Sequence, residues 1–262
     1  MEQLYVIKIG GNIIDDDAKL QMFLSSFVDV EGKKILIHGG GKLATKLAAQ
    51  LGVEQQMIDG RRITDAETLK IVTMVYAGYI NKNIVAQLQS RGANAIGLCG
   101  ADGNVIQSHK RQNATTIDYG FVGDVDAVNA SLLKNLLDQD INVVLAPITH
   151  NKEGQLLNTN ADTIAQEIAQ AMSGLYEVHL IYSFEKAGVL LDADDDSTVI
   201  TSINPTSYTE LKQKNVIFAG MIPKLDNAFT ALNKGVYRVV IGKAEQLQEL
   251  IHQQTGTSIV HE

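Results

Sequence analysis

The chain has 262 residues, 45% of them hydrophobic and 20% charged, enough to fill the core of one large α/β domain or two modest lobes and too apolar for a disordered chain. Its formal net charge of −8, with no block of Lys or Arg, withholds the basic footprint that nucleic acid or an anionic membrane surface requires, so a small molecule is the expected partner. A single cysteine, Cys99, excludes an intrachain disulfide framework and a multi-thiolate metal site; with short apolar runs and no basic cleavable leader, a cytoplasmic protein is expected.

In chain order, LYVIKI (4–9) reads as a strand that carries Lys8 between Ile7 and Ile9 and ends on Gly10-Gly11. A helix is expected at 16–29, then the strand KKILIH (33–38), a glycine turn, and helices at 42–51 and 65–91. ANAIGL (93–98) is a third strand. The stretch 100–128, with GADGN, DYG and VGD, has closely spaced turn residues and is expected to form hairpins on the edge of the sheet. A helix at 131–139, the strand NVVLAP (142–147), a helix at 161–172 and the strand EVHLIY (177–182) follow. The acidic run LDADDDSTV (191–199) reads as a solvated tip in a second lobe that begins near residue 175. Helices at 205–214, 224–234 and 244–253 flank the last strand, YRVVIG (237–242). Short β-branched runs alternating with helices, several runs apolar on both faces, predict an α/β fold with a covered, mainly parallel sheet.

The chemistry sits at the glycine turns. GGGKLATKLAAQL carries a strand into three glycines and a helix, where free N–H groups and a helix N-terminus favour an anion. Leu43 follows Lys42 where a P-loop needs Ser or Thr, so that motif fails. Gly39, Gly41 and Ala44 satisfy the dinucleotide fingerprint, with Asp59 at the distance of a ribose-binding acid, and a plain tight turn is also possible. A second glycine turn, Gly10-Gly11, after an adjacent parallel strand favours instead a polyphosphate being transferred, and a dinucleotide fold leaves Lys8 without a role.

Three further stretches contribute polar groups. In GMIPKL, Pro223 fits the first turn of a helix and places Lys224 where the macrodipole disfavours a cation unless an anion is also present. In LLNTNADT, Asn158 and Asn160 are two apart and Asp162 opens a helix, more polar groups than a cap requires. In GRRIT, Arg61 and Arg62 precede Thr64, which with Glu67 reads as a capping box; one arginine there can fork onto a carboxylate. His38 reads as a strand-end hydrogen-bonding residue and not as an acid or base.

The set KIGGN, HGGGK, GRRIT, LNTNADT and GMIPKL, in this order, resembles the amino acid kinase family over nearly the whole chain. The resemblance implies a three-layer αβα sandwich with an amino-acid-binding, dimerising lobe at 1–174 and an ATP-binding lobe at 175–262. It implies transfer of the γ-phosphoryl of ATP, carried with Mg2+ held mainly through the phosphates and by no dedicated protein metal site, to the γ-carboxylate of an N-acyl-L-glutamate in arginine biosynthesis. Carried over by residue, Lys8 and Lys224 are the catalytic cations, with Asp162 between them; Lys8, Gly10, Gly11 and Lys224 hold the nucleotide phosphates. Gly40, Gly41, Arg62, Asn158 and Asn160 hold the amino-acid substrate. Phe184 and Glu185, in SFEKAG, depart from the family's usual Thr/Ser-Asp-x-x-Gly at the nucleotide lobe. That segment, with GRRITDAETLK and GMIPKL, resembles a branch that uses succinylated intermediates, for which Arg61, Lys110 or Arg111 would supply the extra cation. The lysine strand begins by residue 4, leaving no room for the N-terminal helix that links arginine-inhibited members into hexamers, so a homodimer insensitive to arginine is expected. Another carboxylate kinase of the family, an NAD-binding oxidoreductase and a non-catalytic amino-acid sensor are the alternatives.

Overall fold

The computed structural model describes residues 1–58, 61–112, 117–192, 194–217 and 221–261, without the side chain of Arg61. The elements are β1 (Gln3–Ile9), α1 (Gly11–Ile14), α2 (Asp17–Val28), β2 (Lys33–His38), α3 (Gly41–Gln50), the short hairpin β3 (Met57–Ile58) and β4 (Arg61–Arg62), α4 (Ala66–Thr73), a π-helical turn at Met74–Ile80, and α5 (Asn81–Ser90). Then come β5 (Ala95–Leu98), β6 (Ile106–Lys110), β7 (Gly123–Val128), α6 (Ala130–Leu137), β8 (Asn142–Leu145), β9 (Ile148–His150), β10 (Leu156–Asn158), α7 (Ala161–Met172) and β11 (Glu177–Phe184). The chain ends with β12 (Ser202–Ile203), α8 (Pro205–Gln213), α9 (Met221–Asn233), β13 (Arg238–Lys243), α10 (Leu247–Ile251) and β14 (Thr257–Ile259).

Eight strands form one sheet in the order β12-β14-β13-β11-β1-β2-β8-β5. The pairs from β13 to β5 are all parallel and β14 runs antiparallel to β13, so the expected mainly parallel sheet is observed. Helices cover both faces. Leu4 and Val6 of β1 pack with α6, α7 and α9, whereas Tyr5, Ile7 and Ile9 pack with α2, α3, α4, α5 and α10. Because successive strand residues point to opposite faces, Lys8 belongs with Leu4 and Val6, on the α7 side.

Several local features explain where the elements begin and end. Asp16 caps α2 by accepting from Lys19 N at 3.1 Å. At the other end of α2, the buried Lys34 ammonium donates to the carbonyls of Phe27, Val28 and Val30 at 2.6–3.0 Å, satisfying groups the helix leaves open. The expected capping box at Thr64 is not the cap: Asp65 caps α4, accepting from Thr68 N at 2.7 Å, and Thr64 is fully buried in a bridge to Gly120. Gly120 has φ +71°, and a Cβ there would lie 2.2 Å from Thr64 O, which accounts for the glycine of DYG.

The hairpin expected in 100–128 forms, as β6 paired antiparallel with β7, but not on the edge of the main sheet. It joins β9 and β10 in a separate four-stranded sheet ordered β10-β9-β6-β7. A period-two pattern shows that strands pair without showing which sheet they join. Asp192 and Asp194–Asp196 sit in an exposed turn, as the repulsion of like charges predicts. Gly220, Asp59, Gly60 and the Arg61 side chain lie outside the described residues.

Candidate active site

The carboxyl ends of β1 and β2 lie side by side, with Lys8 in register with Ile37 and Ile9 with His38, so the two glycine turns meet. An ideal Cβ on Gly11 would come within 4.0 Å of Gly41 N. The turns differ in what they offer. Gly10 N–H donates to Ser183 O at 3.0 Å and so extends the β1–β11 ladder, which takes it out of the expected set of phosphate donors. Gly11 opens α1, where the first N–H groups have no intrahelical partner. Gly40 is buried with φ +145°, a conformation that residues with a side chain rarely adopt, and a Cβ there would lie 2.2 Å from Ile80 Cδ1 and 3.2 Å from Tyr76 Cδ1. Among the described residues, Gly40 N–H has no hydrogen-bond partner.

Lys8 and Lys224 converge on one acid. Asn160 caps α7 by accepting from Asp162 N (2.8 Å) and Thr163 N (3.1 Å), which frees the Asp162 side chain from capping. Asp162 Oδ1 then lies 2.7 Å from Lys8 Nζ, and Oδ2 lies 2.8 Å from Lys224 Nζ. The anion that the lysine at the start of α9 requires is therefore present within the chain. Burial alone would raise the Asp162 carboxyl, but the Lys224 and then the Lys8 ammonium outweigh it and hold the group well below the usual carboxylate range. Burial pushes Lys224 down, and Asp162 opposes that push. Tyr182 and Phe184 of β11 floor the Lys224 ammonium, with ring centroids at 5.0 and 5.8 Å, and Tyr182 Oη donates to Asp162 O at 3.1 Å. Phe184, the departure at SFEKAG, thus packs beneath a candidate catalytic cation.

Beside this triad is a cavity of about 210 Å³, lined in part by Gly39, Gly40, Gly41, Arg62, Asn158 and Asn160. Arg62 is 8% exposed; its guanidinium donates to Gly41 O and Thr45 Oγ1, each at 2.9 Å, and to Gln55 Oε1. Among the described residues no carboxylate pairs with it, so a buried cation faces the cavity with only neutral partners. Asn158 Nδ2 donates to Thr64 Oγ1 at 3.0 Å, a contact the Thr64 hydroxyl makes instead of the expected cap. Arg111 also lines the cavity, already forked onto Asp124, whereas Lys110 pairs with Asp118 at 3.6 Å and lies over the Phe121 ring.

His38 is fully buried behind the HGGGK turn, and burial brings its imidazole down to about 4. Its ring contacts Gly39 O through Nδ1 at 2.8 Å and Asn81 Nδ2 through Nε2 at 3.2 Å. No sequence motif marks Asn81, the residue that meets the ring there.

The fold is that of an α/β protein: a helix-covered, mainly parallel sheet with two glycine turns meeting at its carboxyl edge, a lysine pair bridged by Asp162, and beside them a cavity lined by the second turn and by a carboxylate-free arginine. Residues 3–243 match the family described as the amino acid kinase family. The chain is 57% identical to an acetylglutamate kinase of Cytophaga hutchinsonii, with 99% of each chain covered, and 54% identical to one of Bacteroides fragilis, with 98% of this chain and 97% of the relative covered. Its fold matches the crystal structure of smu.665 from Streptococcus mutans UA159 with a TM-score of 0.80, at 27% identity and 99% coverage of both chains. The chain belongs to the amino acid kinase family.

Proposed function

We propose that this chain is an acetylglutamate kinase-type enzyme: it transfers the γ-phosphoryl of ATP to the γ-carboxylate of an N-acyl-L-glutamate, in arginine biosynthesis. The observation that carries this reading is Asp162 bridging Lys8 and Lys224 where two glycine turns meet. The relatives' names support the same activity.

In this reading a γ-carboxylate oxygen attacks the γ-phosphorus, the bond from that phosphorus to the β,γ-bridging oxygen breaks, and ADP leaves with the electron pair. The nucleophile is already ionised at neutral pH, so no general base is needed. The barrier is lowered by alignment and by positive charge placed where the phosphoryl oxygens and the leaving oxygen gain negative charge. Lys8 and Lys224 supply that charge, and Asp162 holds both ammoniums in place. Gly11 N–H serves the nucleotide phosphates, and Gly40 and Gly41 N–H serve the transferring group. Arg62 and Asn158 hold the α-carboxylate end of the substrate, and Asn160 fixes the start of α7. Among the described residues no cluster of three or more His, Cys, Asp or Glu could hold a metal. Mg2+ fits as an ion carried on the ATP phosphates, whose charge it offsets.

The lobes divide as 1–174 for the amino acid and 175–262 for ATP, with β1 and β11 meeting between them. Of the candidate cations for a second carboxylate, Arg111 lines the cavity, although Asp124 already offsets its charge, and on that ground N-succinyl-L-glutamate is kept as a substrate beside N-acetyl-L-glutamate. A homodimer is supported by the exposed apolar groove between α3 and the π-helical turn, with Leu43, Leu47, Met74 and Tyr79 on its walls. Among the described residues no helix is long and apolar enough to cross a membrane, and the cytoplasm is the proposed location. The test is hydroxylamine trapping with ATP and each acyl-glutamate: hydroxamate that requires both substrates supports the kinase, and its absence with both acyl-glutamates rejects it.

A further inference from the structure

We infer that His38 and Asn81 form a positioning pair that sets the Gly39–Gly40 peptide so that Gly40 N–H faces the transferring group, an inference that rests on the proposed kinase reading. His38 Nδ1 lies 2.8 Å from Gly39 O, a group that can only accept, so Nδ1 carries the proton. Nε2 must then accept, and Asn81 Nδ2 is the donor it meets at 3.2 Å. The second Asn81 amide hydrogen goes to Val144 O at 3.1 Å, and Asn81 Oδ1 accepts from Lys82 Nζ at 3.1 Å, which fixes the orientation of the amide. The ring is therefore held as one neutral tautomer. Lys82, the charged group that bears on it, disfavours its protonation further.

In a trans peptide the C=O and N–H point in opposite directions. Fastening Gly39 O to His38 turns Gly40 N–H away from the ring. That N–H has no partner among the described residues, and Gly40 lines the cavity, so the donor is open to an acceptor that arrives there. Ile80 and Tyr76, on the π-helical turn, close over Gly40, and Asn81 follows that turn directly, so one irregular segment supplies both the wall and the ring's partner. π-helical turns recur at functional sites, and this one faces the cavity's glycines.

The test compares His38→Asn, which keeps a donor at the Nδ1 position, with His38→Gln, which reaches toward Asn81 and leaves Gly39 O without one. His38→Gln should lower kcat about 10- to 100-fold, as supporting hydrogen bonds do at other centres, while His38→Asn recovers most of it and the KM for ATP hardly moves. Equal losses in the two variants, or no loss in either, overturn the inference. Should His38→Gln not fold, Asn81→Asp decides: its carboxylate can only accept from Nε2–H, so once the ring is neutral its one hydrogen sits on Nε2 and Nδ1 is left bare against Gly39 O. The variant's kcat should then fall with rising pH on a limb that the parent enzyme lacks, and an unchanged profile counts against the pair. The Gly40 amide in ¹H–¹⁵N spectra separates this from the kinase reading. A shift in His38→Gln but not in His38→Asn supports the pairing even if no hydroxamate forms; an unmoved amide in both overturns it.

Discussion

Lys224 Nζ lies 2.8 Å from Asp162 Oδ2, although 62 positions separate the two residues. The contact exists because α7 and α9 cover the same face of the sheet and each presents its first turn to the ends of β1 and β11. A buried ammonium and a buried carboxylate hold each other charged there, and Lys8 adds a second cation to the same carboxylate.

If both lysines act on charge that develops during transfer, Lys8→Ala and Lys224→Ala should each lower kcat by about 10² to 10³, the scale of losing one preorganised donor. Circular dichroism should report a folded protein in both. Steady-state kinetics with saturating ATP is the check, and near-normal turnover in either variant removes that lysine from the assignment.

Asp162 also makes stability depend on pH. Its carboxyl titrates well below the unfolded value of about 3.9. The unfolded chain therefore takes up the proton first as acid is added. The contribution is complete above that value and is lost as pH falls through it toward the folded value. The stability gap between the unmodified protein and Asp162→Asn, from urea unfolding, should be largest near pH 7 and shrink below about pH 4; a constant gap contradicts the ion pair. Lys224, lowered by burial, has its effect on the alkaline side, where the folded state binds fewer protons and stability rises with pH.

Gly40→Ala should destabilise the fold by about 1–3 kcal/mol, because it combines a positive φ with a Cβ 2.2 Å from Ile80 Cδ1. Gly39→Ala, with nothing within 4 Å of its Cβ, should unfold like the parent. Urea midpoints of the two variants test this contrast.

Much of this site was legible in the sequence. Lys8 within an apolar strand, Lys224 at a helix start and Asp162 after two asparagines are each unusual, and each found its partner. What was hidden depends on pairing that no local pattern encodes. Gly10 N–H is consumed because β1 happens to lie beside β11. Asn81 reads as an ordinary residue inside a long helix, and its meeting with His38, 43 positions away, follows from a π-helical turn that has no period of its own. Thr64 is ambiguous in sequence for a related reason: Asp65 competes for the same cap, and only tertiary structure decides between them.

Arg62→Gln should raise the KM for the acyl-glutamate by roughly 10- to 150-fold, the worth of about 1.5–3 kcal/mol for hydrogen bonds to a charged group, and leave the KM for ATP near its starting value. Arg111→Ala should lower kcat/KM for N-succinyl-L-glutamate more than for N-acetyl-L-glutamate. An unchanged ratio between the two substrates removes Arg111 as a selector.

The most direct measurement of the central claim follows one oxygen atom. N-acyl-L-glutamate carrying ¹⁸O in both γ-carboxylate positions is incubated with ATP and the enzyme, and hydroxylamine cleaves the product at its carbonyl carbon. Attack of the carboxylate on phosphorus predicts that each phosphate so released carries one ¹⁸O. Phosphate free of label, or label release that does not depend on ATP, would contradict carboxylate phosphorylation at this site.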